Sequence, residues 1–277
     1  MFKRIVTGIV LALIAIPVCI YSDTFIFPLV IAILSFIGTF EMLSCVGMKK
    51  RFSVSVPLCA LAFAFPLLAR LVTPRSGFLA IYGTALFVLI LAFMTLQVFI
   101  PEKVSAASVS TAFVCSVYVI TGFVSIILLR DMEAGVYYFM VPLVAPLTCD
   151  IFAYFCGMLF GKHKLIPKIS PKKTVEGSIG GMFFCTVICT LYGVIIRYAL
   201  DVEVVIPIWA FAVGGLLISV VSQIGDLIAS AIKRQYDIKD YGKIFPGHGG
   251  VLDRFDSVIA TVPLFLILVI ILHSIGV

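Results

Sequence analysis

Between Ser230 and Ser257 the chain reads SAIKRQYDIKDYGKIFPGHGGVLDRFDS. This stretch holds five of the 20 Lys and Arg, four of the 14 Asp and Glu and one of the three His, in a chain that is 62% hydrophobic and 12% charged. Pro246-Gly247-His248-Gly249-Gly250 forms a tight turn, and its glycines allow backbone conformations closed to other residues and let amides approach an anion. Asp253 and Asp256 are three apart, so in a following helix they share a face and can offer oxygens to one hard cation such as magnesium. Lys239, Lys243 and Arg254 stand ready for phosphate oxygens. His248 reads either as a donor beside phosphate or as a turn residue. No His-Cys-Asp spacing for zinc is present.

Two further anomalies lie upstream. Asp150 falls inside an apolar run, where a carboxylate costs about 2.5–3.5 kcal/mol unless it faces a polar cavity and a partner. Helical spacing puts Asp150, Tyr154, Gly157 and Gly161 on one stripe. After them Gly161 to Ser178 carries five lysines with Ser170, Thr174 and Gly177 beside a helix start, a composition suited to phosphate. The bland alternative is a topogenic or lipid-headgroup patch. In the run Ser222-Gln223-Ile224-Gly225-Asp226, helical steps place Ser222, Asp226, Ser230 and Lys233 on one face, ending in Lys233-Arg234.

The residues Ser230-x-Ile232-Lys233-Arg234, then four positions, then Lys239-Asp240-x-Gly242-x-x-Phe245-Pro246-x-His248-Gly249-Gly250-Val251-x-Asp253-Arg254-Phe255-Asp256 resemble the complete signature of the phosphatidate cytidylyltransferases, the CDP-diacylglycerol synthases. Asp150 with Ala153-Tyr154 and Gly157, the Ser170 to Gly177 stretch and Gly225-Asp226-Leu227 are similar to the same family. Residues 145 to 260 carry the resemblance; the earlier spans match only in hydropathy. Ile151 departs from it, since many relatives have Ser or Thr after the Asp.

The resemblance implies condensation of CTP with phosphatidate to CDP-diacylglycerol and pyrophosphate. It implies magnesium as cofactor, one ion or two, on Asp226, Asp253 and Asp256, with Asp150 a further ligand or positioner. Lys233, Arg234, Lys239 and Arg254 would hold the triphosphate, and Lys172 and Lys173 the lipid phosphate or the nucleotide. Ser170, Thr174, Ser222, Ser230, His248, Gly249 and Gly250 complete the expected substrate contacts. A lipid phosphate is itself the nucleophile, so no nucleophilic side chain is required.

These residues need a housing. A mean hydropathy of +1.22 excludes a soluble domain, and the apolar runs reach the length of about 20 residues that crosses a bilayer. The expected fold is an all-α polytopic membrane protein of about nine spans forming one membrane domain, with residues 1–130 as scaffold and lipid contact and 136–260 as catalytic helices and loops. Its active site is expected at the cytoplasmic ends of the C-terminal helices. Pro17, Pro28, Pro57 and Pro66 are expected kinks. Glu41, near a helix end, reads as a solvated or snorkelling charge.

Nine spans would place 16 of the 20 Lys and Arg on the side of Met1, and the positive-inside rule makes that side cytoplasmic. The expected location is a bacterial inner membrane, with the N-terminus and the active-site loops cytoplasmic. The run after Arg4 lacks a small-residue cleavage site and reads as a first span. Eight cysteines without a CxxC pair read as buried apolar side chains. Gly180-Gly181 and Gly214-Gly215 suit helix packing within or between protomers, so a homodimer is compatible. No nucleic-acid partner is expected. The competing readings are another CTP-using lipid enzyme, such as a polyprenol kinase, and an ion-coupled transporter with intramembrane carboxylates.

Overall fold

The computed structural model describes residues 2–99, 105–167, 169–200 and 206–275. Lys103 and Lys168, counted in the charge bias, lie outside them, as do the side chains of Lys3 and Arg4. The order is α1 (Phe2–Ile20), α2 (Ile26–Cys45), α3 (Phe52–Leu71), α4 (Arg75–Phe99), α5 (Ala106–Arg130), the short α6 (Gly135–Tyr138) and α7 (Met140–Phe160). A hairpin β1 (Lys164–Ile166) and β2 (Ser170–Thr174) follows, then α8 (Val175–Tyr198), α9 (Ile208–Gln235) and α10 (Leu252–Ser274). Among the described residues eight helical segments are long and apolar enough to cross a membrane, α6 and α7 together forming one; the apolar part of α1, Thr7–Ile20, is shorter. The chain is an all-α polytopic membrane protein. Large apolar side chains such as Leu13, Phe52 and Phe99 stand exposed, the arrangement lipid tails require, since they are as apolar as the side chains they touch.

The chain forms two compact units. The first comprises Met1–Ile127 and Tyr236–Arg254. Its α2 buries a stripe at helical spacing, Phe27, Ile31, Ser35, Gly38, Met42 and Cys45. In α3 the residues Leu58, Ala62, Phe65 and Ala69 do the same, and the Phe65 ring meets Tyr82 of α4 at 4.6 Å. Arg70 ties the end of α3 to the connection before α2 by donating to the Asp23 carbonyl at 2.6 Å. Pro17, Pro57 and Pro66 lie inside helices, whereas Pro28 falls in the first turn of α2, where its missing N–H costs nothing.

The second unit comprises Leu128–Gln235 and Phe255–Val277. Glycines let its helices approach closely. A Cβ at Gly177 of α8 would stand 3.0 Å from the Gly157 Cα of α7, and one at Gly181 would stand 2.8 Å from the Cys149 carbonyl. Gly215 of α9 faces Cys189 of α8, and Gly225 of α9 faces Ala260 of α10, a Cβ at either falling 2.7 Å from its neighbour. Gly181 and Gly215 thus serve contacts within the chain. All eight cysteines are free and none is exposed.

Candidate active site

In the second unit, α7, the hairpin, α8 and α9 line a cavity of about 660 Å³. Asp150, Tyr154, Gly157 and Gly161 all face it, as their helical spacing predicted, together with Lys172, Lys173, Thr174 and Asp226. The lysine-rich stretch beside the helix start contains an antiparallel hairpin, β1 and β2, pairing Lys164 with Thr174 and Ile166 with Ser170. The hairpin ends where Thr174 caps α8, its Oγ1 accepting the Gly177 N–H at 3.2 Å. Capping and hairpin together fix Lys172 and Lys173 at the cavity wall.

Lys173 Nζ lies 2.6 Å from Asp226 Oδ2, and the ammonium nitrogen is shielded from solvent. Asp150 feels both Lys173 and Asp226 electrostatically. Asp256 of α10 feels Asp226, Lys233 and Asp150. The close approach of α9 and α10 at Gly225 produces this proximity, since a side chain there would meet Ala260 and the Asp256 carbonyl. Three carboxylates from three helices therefore share one electrostatic neighbourhood with two lysines, and Lys173 offsets part of their mutual repulsion.

The signature turn belongs to the first unit. Phe245 N–H donates to the Gly249 carbonyl and His248 N–H to the Phe245 carbonyl, both at 2.9 Å, while Gly247 and Gly249 take φ of 78° and 85°, as a turn of this sequence demands. Thr7 of α1 donates to the Pro246 carbonyl at 3.0 Å. Lys239, Lys243, His248, Gly249 and Arg254 line a second cavity of about 660 Å³. His248 Nδ1 is buried and finds no hydrogen-bond partner among the described residues.

A family model described as "Cytidylyltransferase family" matches residues 2–272. The chain belongs to the cytidylyltransferase family. It is 34% identical over 269 residues to a protein of Bacillus subtilis (strain 168) named phosphatidate cytidylyltransferase, covering 95% of each chain. Proteins of the same name from Staphylococcus haemolyticus (strain JCSC1435) and Staphylococcus saprophyticus are 34% and 32% identical, each over 96% of this chain and 98% of theirs. This cytidylyltransferase is a nucleotidyltransferase embedded in a membrane.

Not every residue singled out from the sequence lies where that reading put it. Ser222 is buried and donates to the Ser219 carbonyl at 3.1 Å; its neighbour Gln223 reaches the first cavity instead. Asp253 Oδ2 accepts the Tyr241 and Gly250 amides at 2.8 and 2.9 Å, so that oxygen braces the turn, and the Gly250 amide is committed to it. Ser170 sits in the hairpin ladder. Ser230 and Lys233 are half-buried, and Arg234 is exposed on the last turn of α9. Among the described residues no group of three or more His, Cys, Asp or Glu is assembled at metal-ligand distances.

Three further polar residues, Gln223, Glu176 and Thr7, hold the structure around these sites, and a fourth, Glu41, is buried where a solvated charge was expected. Gln223 joins α8 and α9, its side chain pairing with the Ser178 hydroxyl and donating to the Ser219 carbonyl at 3.1 Å. Glu176 accepts the Lys162 and His163 amides at 3.1 and 3.2 Å, and its Oε1 lies 2.7 Å from His163 Nδ1. Thr7 braces the turn. Glu41, read as a solvated charge, is 5% exposed and accepts backbone hydrogen bonds from the start of α10. A lone acid in a stripe of apolar residues gives no hint in sequence of what lies opposite it.

Proposed function

We propose that this cytidylyltransferase transfers CMP from CTP to phosphatidate. An oxygen of the lipid phosphate forms a bond to the α-phosphorus of CTP, the bond from that phosphorus to the bridging oxygen breaks, and pyrophosphate leaves. The names of relatives aligned over nearly the full chain support this reading. The observation that carries it is the first cavity, where Asp150, Asp226 and Lys173 meet beside Lys172. Two polyanions repel each other, so positioning and charge neutralisation dominate the barrier.

Asp150, Asp226 and Asp256 offer only carboxylate oxygens, a donor set suited to magnesium. If they hold a cation, it would neutralise phosphate oxygens. The remaining work falls to this chain's own groups. Lys172 and Lys173 bind the phosphate entering the first cavity. Lys239, Lys243, Arg254 and His248 are the triphosphate-holding groups of the signature turn. Within the second unit, Lys233, which acts on Asp256, and Arg234 supply further positive charge. Asp253 keeps the turn in shape through its amide bonds.

The charge bias of the sequence supports a cytoplasmic N-terminus and cytoplasmic active-site loops in a bacterial inner membrane. Purified protein given phosphatidate, radiolabelled CTP and magnesium should form CDP-diacylglycerol. Phosphorylation of a polyprenol instead, or solute flux into proteoliposomes without CTP turnover, would overturn the reading.

A further inference from the structure

The signature turn is held from outside itself. Glu41 sits near the C-terminal end of α2, where a negative charge opposes the helix dipole, and only 5% of its surface is accessible. Such a carboxylate persists only when its oxygens are used. Both are. Oε1 accepts the Val251 N–H at 3.1 Å and Oε2 the Leu252 N–H at 2.9 Å, closing a separation of 210 residues or more. These amides open α10, so an acid from the second helix caps the last one. Leu252 then packs beside Gly38 of α2, where a Cβ would stand 3.2 Å from its Cδ2.

The same carboxylate lies flush against two glycines of the signature. A Cβ at Gly242 or at Gly250 would overlap it. Neither of these glycines has a positive φ, unlike Gly247 and Gly249. Their lack of a side chain therefore answers to Glu41, not to backbone conformation. Glu41 itself is absent from the lining of the second cavity, so it acts through the backbone.

We propose that Glu41 is a positioning residue for the nucleotide. It fixes residues 241–252 so that Lys243, His248 and Arg254 meet the triphosphate of CTP in one arrangement. This rests on the reading of that turn as the triphosphate holder. A carboxylate is required because both partners are donors: glutamine would turn an NH₂ toward an N–H and leave a buried amide unsatisfied.

The test is steady-state kinetics on the full-length protein in detergent, varying CTP and phosphatidate separately, alongside thermal shift by CTP with magnesium. Glu41→Gln should raise the KM for CTP about tenfold or more while the KM for phosphatidate stays within about twofold. Gly250→Ala should raise it similarly, and Glu41→Asp in that background should recover about threefold, because the shorter acid retreats from the added methyl. Arg254→Ala tests the underlying reading. If it raises the KM for CTP while Glu41→Gln does not, Glu41 has no positioning role; if it leaves that KM unchanged, the turn does not hold CTP and the proposal falls with it. An equal rise for both substrates, or lost thermal stability with unchanged KM values, also overturns the proposal. Should Glu41→Gln fail to fold, the Gly250→Ala pair decides: no recovery by Glu41→Asp sinks it.

Discussion

The Lys173 ammonium stands 2.6 Å from the Asp226 carboxylate, with Asp150 close enough to feel both. A hairpin residue thus supplies the counter-charge to acids on α7 and α9. Lysine at this position both neutralises the carboxylates and competes with any cation they hold. Lys173→Ala should lower turnover about a hundredfold, through loss of a charge contact to phosphate. It should also lower the magnesium concentration giving half-maximal rate, because one competitor for the acids is gone. A magnesium titration of the residual activity checks both directions; an increased magnesium requirement would contradict the competition.

Asp226→Asn and Asp256→Asn should each abolish magnesium-dependent turnover, by about a hundredfold or more, with the protein still monodisperse in detergent. Chelation of the wild-type protein should reproduce the loss. Near wild-type CTP incorporation by either variant would remove these acids from the cation site.

Asp253 should behave differently. Its Oδ2 serves the Tyr241 and Gly250 amides, and an asparagine oxygen can still accept them. Asp253→Asn should keep a measurable fraction of activity with unchanged magnesium dependence, while Asp253→Ala should raise the KM for CTP. A magnesium response in Asp253→Asn as altered as that of Asp226→Asn would make Asp253 a cation ligand too.

Gly225 separates α9 from α10, with a Cβ falling 2.7 Å from that of Ala260. Gly225→Ala should destabilise the protein by about 1–3 kcal/mol and lower activity by moving Asp226 away from Asp256. Ala260→Gly in the same chain should restore both. Thermal unfolding in detergent and turnover of the double variant measure the recovery.

Glu176 closes the base of the hairpin by accepting the Lys162 and His163 amides. Glu176→Ala should speed hydrogen exchange across residues 162–174 and raise the KM for the lipid substrate, since Lys172 and Lys173 lose their fixed placement. Exchange rates equal to wild type would assign the hairpin's order to its own strand pairing.

By itself the sequence determined the membrane class, the helices and the family, because each is written in local terms. Apolar runs of bilayer length, glycines in a turn, and lysines and acids at fixed spacing survive without knowledge of what lies opposite. Asp150 and Asp226, which line the first cavity, stood out in the sequence for the same reason: a charge inside an apolar run has no cheap explanation.

Only the tertiary structure decided which partners those groups take. Glu41 and Gly250 are far apart in sequence and touch only because the helix bearing Glu41 packs against the signature segment, so neither residue announces the other. The hairpin that orients Lys173, the capture of Asp253 Oδ2 by two amides and the retreat of Ser222 into its own helix likewise depend on neighbours brought by packing. Side-chain chemistry states what a residue is able to do; the groups that surround it in the fold select which of those things it does.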